Sequence, residues 1–256
     1  MKICHGLGCR STELIKAHII PQSFGRYVEG NSGPNVMLSS EGRSMKTPRG
    51  LFDTGILCAT CDGYLNKKYD DPAFHFFKSF DLASTKIIDL NPAKYHGAPP
   101  FFEASGVDCD MLCGFILSVL WRSSISSRPE VSSVRLGPYE DKARDVLWGV
   151  QPLSSLPAFE VTLQRYRSHQ VDIHKTYSLP GRLLPDPLII YGFACLGFRI
   201  HAKMDRRPFP AYFNGFVINS DKVFRGLIID FEETREAREL CKMANEAAKR
   251  RHQRRR

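Results

Sequence analysis

The chain has 256 residues, 43% hydrophobic and 25% charged, which excludes wholesale disorder and allows a real core in one domain or two small ones. No window approaches ~18 uninterrupted apolar residues, and no apolar h-region follows Lys2, so neither a membrane span nor a signal peptide is expected and a cytoplasmic location is the default. The formal charge of +9 is concentrated: residues 249–256 carry six cations and no acid, leaving +3 on the remainder, so the polycation is a nearly balanced globule with a basic tail. Such a tail attracts nucleic acid or acidic partners, and a solvated helix terminus reads the same way.

In chain order, the first signal is a pair of cysteines, Cys4-x4-Cys9, in Gly-containing polar surroundings. Residues 13–20 (ELIKAHII) are extended in character, with β-branched Ile15, Ile19 and Ile20. Residues 29–50 are rich in Gly, Ser, Pro and Asn and read as a long loop or irregular insertion. A second pair, Cys58-x2-Cys61, then opens a helical pattern through Tyr64, Leu65 and Lys68, expected to break or kink at Asp71-Pro72 and to resume at Ala73.

Beyond residue 80 the most apolar helix candidate is 108–126, followed by an amphipathic one at 139–148. Strand-like segments follow at 158–166, 187–200, 212–218 and 223–231, and a long terminal helix is expected over 232–251. Helices and strands are segregated, so the expected class is α+β: a zinc-bound N-terminal module at 1–80, then an α+β region at 81–256 with antiparallel strands.

The eight cysteines divide into two kinds. Cys4, Cys9, Cys58 and Cys61 form two close pairs that can present four thiolates tetrahedrally to one Zn²⁺, with His5 a less favourable substitute. Cys109 and Cys113 share a face of the apolar helix and read as small hydrophobes, while Cys195 and Cys241 have no partner in sequence. Between the pairs stands Lys16-Ala17-His18-Ile19-Ile20-Pro21, where a histidine among isoleucines is a packed core residue or a functional group.

A Cys knuckle, then His-Ile-Ile-Pro, then a Cys-x2-Cys-Asp helix start resembles the zinc-containing HNH family, the ββα-metal or His-Me finger endonucleases. The resemblance covers residues 4–80, about a third of the chain. It implies a ββα finger whose strand-end histidine, His18, is the general base. It also implies a catalytic Mg²⁺ or Mn²⁺ ion held by the hard oxygens of Asp62 and Asn66, one turn apart on a helix. Asp53 is the candidate to orient the base, with Asn35 second and a turn residue in Phe52-Asp53-Thr54-Gly55 the plain alternative.

Three positions depart from the family pattern: Ala17 stands where many members carry a ligand, Asp62 or Asn66 replaces the final His, and the middle Asn has no clear counterpart. A narrower likeness to bacterial HNH-like proteins lies in Gly50-Leu51-Phe52-Asp53, Leu57-Cys58-Ala59-Thr60-Cys61-Asp62 and the downstream Leu120-Trp121-Arg122-Ser123-Ser124. Arg43, Lys46, Arg49, Lys67 and Lys68 are candidate phosphate contacts, although an exposed charged face explains Lys67 and Lys68 equally well. The expected partner is DNA, cut in restriction, phage defence or a mobile element, with residues 81–256 positioning substrate or docking a partner protein. The rival expectation is a zinc-stabilised module that binds nucleic acid or scaffolds a complex without cutting.

Overall fold

The computed structural model describes residues 2–29, 35–38, 44–47, 50–89, 99–175, 177–183, 187–218, 223–234, 237–238 and 242. The N-terminal part is built on a two-stranded ribbon, β1 (Ala17–His18) against β4 (Phe52–Asp53), antiparallel with Ala17 opposite Asp53 and His18 opposite Phe52. Between these strands lie α1 (Gln22–Glu29), which begins directly after Pro21, and a hairpin of β2 (Asn35–Leu38) with β3 (Ser44–Thr47). The insertion expected at 29–50 therefore contains regular structure, formed around the β-prone run Val36-Met37-Leu38.

Cys58, in extended conformation, caps α2 (Ala59–Leu65). Where the sequence suggested a break or a kink, at Asp71-Pro72, the helix does not break. It widens into a π turn over Asn66–Asp70 and continues as α3 (Asp71–Ser79). The Asp71 N–H reaches back five residues to the Asn66 carbonyl, and this wider ladder accommodates the proline ring that a regular α-helix would exclude. Leu65, Tyr69, Ala73 and Phe77 are buried along one side of the continuous rod.

Helix α4 (Cys109–Ile125) starts where the Asp108 carboxylate accepts from the Met111 N–H at 2.9 Å, and its interior from Leu112 to Ser124 is buried all round. Helix α5 (Glu140–Leu147) packs against it. The remaining strands are β5 (Lys86–Ile88), β6 (Phe101–Ala104), β7 (Phe159–Arg167), β8 (Gly181–Arg182), β9 (Ile190–Cys195), β10 (Phe198–Met204) and β11 (Phe224–Asp230). They form one seven-stranded sheet in the order β5-β6-β11-β7-β10-β9-β8, antiparallel except where β11 runs parallel to β7. The architecture is thus mixed α+β.

One sheet face, carrying Val161, Leu163, Phe198 and Ile200, joins the helices in a single apolar core that also contains Phe24, Phe77 and Phe115. Phe24 stacks on Phe115 at 5.3 Å, and Phe77 meets Phe198 edge-on at 5.2 Å, so the ribbon-and-helix segment shares its core with the sheet. The opposite face carries buried Thr162, Gln164, His201 and Lys203, with Phe213 edge-on to His201 and Phe209 beneath the Lys203 ammonium.

The strand expected at 212–218 is instead a 3₁₀ turn at Ala211–Phe213, and only Val217 bridges to Thr162; Pro208, Pro210 and Asn214-Gly215 favour turning over extension. The terminal helix expected at 232–251 does not begin at Glu232, which lies in a 3₁₀ turn (Phe231–Glu233). Thr234 follows, its hydroxyl accepting from the Ala237 N–H at 3.1 Å, and most of the expected helix, with Cys241 and the basic tail, lies outside the described residues.

The strongest polar tie between the rod and α4 is buried. Arg122 grips Asp70 with both guanidinium nitrogens, Nη1–Oδ2 at 2.9 Å and Nη2–Oδ1 at 2.8 Å. Removing one member of such a pair strands a charge in the interior, which costs about 3–5 kcal/mol, whereas replacing both by apolar groups is often tolerated. Asp70→Ala is therefore expected to destabilise the fold by roughly that amount. The double variant Asp70→Leu/Arg122→Met should recover most of the loss, as read from urea unfolding midpoints.

Candidate functional site

Four cysteines converge as expected. The sulfurs of Cys4, Cys9, Cys58 and Cys61 all lie within 4.8 Å of one another, and all four are free thiols. Cys9 and Cys58 Sγ are 3.7 Å apart, against about 3.8 Å for two sulfurs of a tetrahedral site with ~2.3 Å metal–sulfur bonds. This set can hold one zinc ion, and it is the only cluster of three or more His, Cys, Asp or Glu ligands among the described residues. His5 is exposed, and its amide donates to the Ile56 carbonyl at 2.9 Å.

The local chain explains the convergence. Cys4 Sγ accepts from the amides of Gly6 at 3.4 Å and Cys58 at 3.3 Å, and Cys9 N–H turns back to the Gly6 carbonyl at 3.0 Å. Gly6 is required by close approach: a Cβ there would lie 2.3 Å from Cys61 Sγ. Burial raises the Cys4 and Cys61 thiols. At Cys58 burial acts in the same direction, but hydrogen bonds from the Cys61 amide and from neighbouring thiols prevail and bring it down to about 7. Four thiolates so close together need a cation to neutralise them.

His18 sits at the end of β1, on the ribbon face shared with Phe52, whose ring is edge-on at 5.9 Å. Burial, with added repulsion from Arg122 and Arg26, lowers its pKa to about 4, so the imidazole is neutral at pH 7. Asp62 lies in the first turn of α2 and is half-buried; burial raises its carboxyl, and Arg122 opposes that rise. His18, Asp62 and Asp70 thus share the field of one buried guanidinium. Asn66 donates its amide nitrogen to Asp71 Oδ2 at 2.9 Å, a pairing produced by the five-residue π turn, and this leaves the amide oxygen as the end not engaged by Asp71.

Asp53 does not support His18. Alternation along β4 puts it on the other face of the ribbon, and its carboxylate accepts from Gly55 N–H at 2.7 Å, Ser126 Oγ at 2.8 Å, Ser127 N–H at 2.9 Å and Ser127 Oγ at 3.0 Å. Burial pushes this carboxyl up, but those donors together hold it below the usual carboxylate range. Asp53 therefore ties the ribbon to the C-terminal end of α4, and Asn35 pairs with Thr47 in the hairpin of β2 with β3.

Of the cationic candidates, Lys67 is exposed and available. Lys68 is engaged: its ammonium donates to Tyr64 Oη at 3.0 Å and to the Leu147 carbonyl at 3.2 Å, and lies 5.0 Å from the Tyr69 ring centre. Lys46 lies in β3, while Arg43 and Arg49 fall outside the described residues. Sequence reasoning missed Asp70 and its pairing with Arg122. The one available signal was an arginine within the most apolar helix, a position that demands a buried partner.

Metal analysis of the purified protein should return about one zinc per chain, and its removal by a chelator should lower the melting temperature. Gly6→Ala retains every thiol yet should weaken zinc binding roughly tenfold or more by displacing Cys61, as read from competition with a chromogenic chelator.

No protein-family model, no curated protein and no solved structure matches the chain.

Proposed function

We propose that the chain is a metal-dependent endonuclease of the HNH, ββα-metal type that hydrolyses DNA phosphodiesters. The observation that carries this reading is His18, held neutral at the end of a two-stranded ribbon whose second strand leads into a helix opened by Cys58 of the four-thiol cluster. In this reading the zinc site is structural and staples residues 4–9 to the start of α2.

His18 would take the proton of a water whose oxygen attacks phosphorus, while the bond from phosphorus to the leaving oxygen breaks. Burial first, and then Arg122 and Arg26, depress the basicity of His18; a phosphate bound beside it would offset the arginine part of that depression. Asp62 and the Asn66 amide oxygen would hold the Mg²⁺ or Mn²⁺ ion, and two protein oxygens suffice for an ion that keeps several waters and takes the rest of its ligands from phosphate. When bound, that ion supplies charge stabilisation at the phosphate.

A second reading, a zinc-stabilised module that binds nucleic acid without cutting, draws support from the positions that depart from the family pattern. Ala17 is fully buried, and Asp53 is committed to Ser126 and Ser127. Supercoiled plasmid incubated with the protein and Mn²⁺ separates the two. The nuclease reading expects nicking that His18→Ala reduces by roughly a hundredfold or more, with zinc content unchanged. Intact plasmid, or equal nicking by both proteins, selects the binding module.

The sign of the pH dependence follows from His18. Its folded-state pKa of about 4 lies below the ordinary 6.5, so the free site stays in the base form down to that point. The acid limb of kcat/KM should accordingly fall near pH 4 and not near 6.5, measured on a short duplex over pH 3.5–8.

A further inference from the structure

Tyr177 belongs to the sheet region, far in sequence from the ribbon. It is anchored there by a β-bridge to Cys195, by Ser178 N–H donating to the Ala194 carbonyl at 2.9 Å, and by Ala194 N–H donating to Ser178 Oγ at 2.7 Å. Its side chain is buried, and its hydroxyl has no hydrogen-bond partner among the described residues. An unsatisfied buried hydroxyl costs about 1–3 kcal/mol, so such a group calls for an explanation.

The explanation lies at Gly50. A Cβ on this residue would lie 3.2 Å from Tyr177 Oη and 3.9 Å from His18 Cδ2, with no other described side chain within 4 Å apart from those of its chain neighbours. The phenol oxygen and the imidazole edge therefore both border the space that a side chain at position 50 would fill. Gly50 has φ +89°, which disfavours any other residue, so backbone and space impose the same choice. A phenol and an imidazole that border one such space offer a water the polar partners it needs. The Arg122 field reaches both walls, and burial keeps the Tyr177 phenol protonated at neutral pH, so it faces the gap as a donor.

We propose that Tyr177 is a positioning residue of the His18 site, its hydroxyl donating to a water held in the Gly50 gap against the His18 imidazole. The phenol would occupy one lone pair of the water oxygen and turn a proton of that water toward His18. This rests on the reading of His18 as the general base, but the link between Tyr177 and His18 can be measured without it.

The test uses the zinc-loaded full chain labelled with ¹⁵N-histidine. Tyr177→Phe removes only the hydroxyl, and Gly50→Ala fills the gap while retaining it, so the second variant serves if the first fails to fold. Both are expected to move the His18 imidazole ¹⁵N resonances at pH 7.5, and to lower Mn²⁺-dependent turnover by roughly tenfold or more with KM unchanged. Unmoved His18 resonances in both variants overturn the proposal. Shifted resonances in a protein whose wild type leaves DNA intact overturn the nuclease reading and leave the Tyr177–His18 link standing.

Discussion

The buried pair between Asp70 and Arg122 is the constraint on which the rest of the site depends. It joins the rod that begins at the four-thiol cluster to the central helix of the larger region, and both side chains are almost wholly removed from water. A buried ion pair is weak evidence for net stability, because desolvation offsets most of the attraction. Its value here is orientation. The bidentate fork fixes the rotation of the rod, and the π turn brings Asp70 inward while Asn66 and Asp71 pair at the surface. Burial dominates the pKa shifts of His18 and Asp62, and the same guanidinium adds to the lowering at His18 and opposes the rise at Asp62.

The thiol cluster constrains the other end of the rod. Cys9 and Cys58 are 49 positions apart, so a metal ion at this point closes a long loop that contains α1, the hairpin and β1. The Cys58 amide donates to Cys4 Sγ while Cys58 caps the helix, which makes the cluster and the helix start a single structural unit. His18 emerges between these two constraints on a ribbon of only two residues per strand. So short a ribbon is not stable alone; Asp53 secures it to Ser126 and Ser127, and Ile19 and Ile20 bury completely behind it.

The sequence made the local features legible and concealed the distant pairings. Cysteine spacing located all four members of the cluster, and unbroken apolar character located α4 within one residue at each end. Strands β7 and β11 were readable from their β-branched and aromatic runs, whereas α1, β5 and β6 were not anticipated, being too short to show a clear period. The proline at position 72 suggested a break because a π turn leaves no simple trace in sequence. Asp53 and Lys68 have the right residue types for the roles first expected of them, and only the fold shows their partners to be Ser126, Ser127 and the Leu147 carbonyl. Arg122 with Asp70, and Tyr177 with Gly50, are brought together by tertiary packing across long stretches of chain; an arginine in so apolar a helix signals that a partner exists, but one sequence does not say which residue it is.

The central proposal is that the chain has two different metal sites, a structural one of sulfur and a catalytic one of oxygen. Crystals of the zinc-loaded protein soaked in MnCl₂, with anomalous diffraction recorded at the zinc and manganese edges, test it most directly. The predicted result is a zinc peak within the four sulfurs and a separate manganese peak beside Asp62 and Asn66, on the side facing His18. Manganese found only among the sulfurs, or nowhere near Asp62, would contradict it.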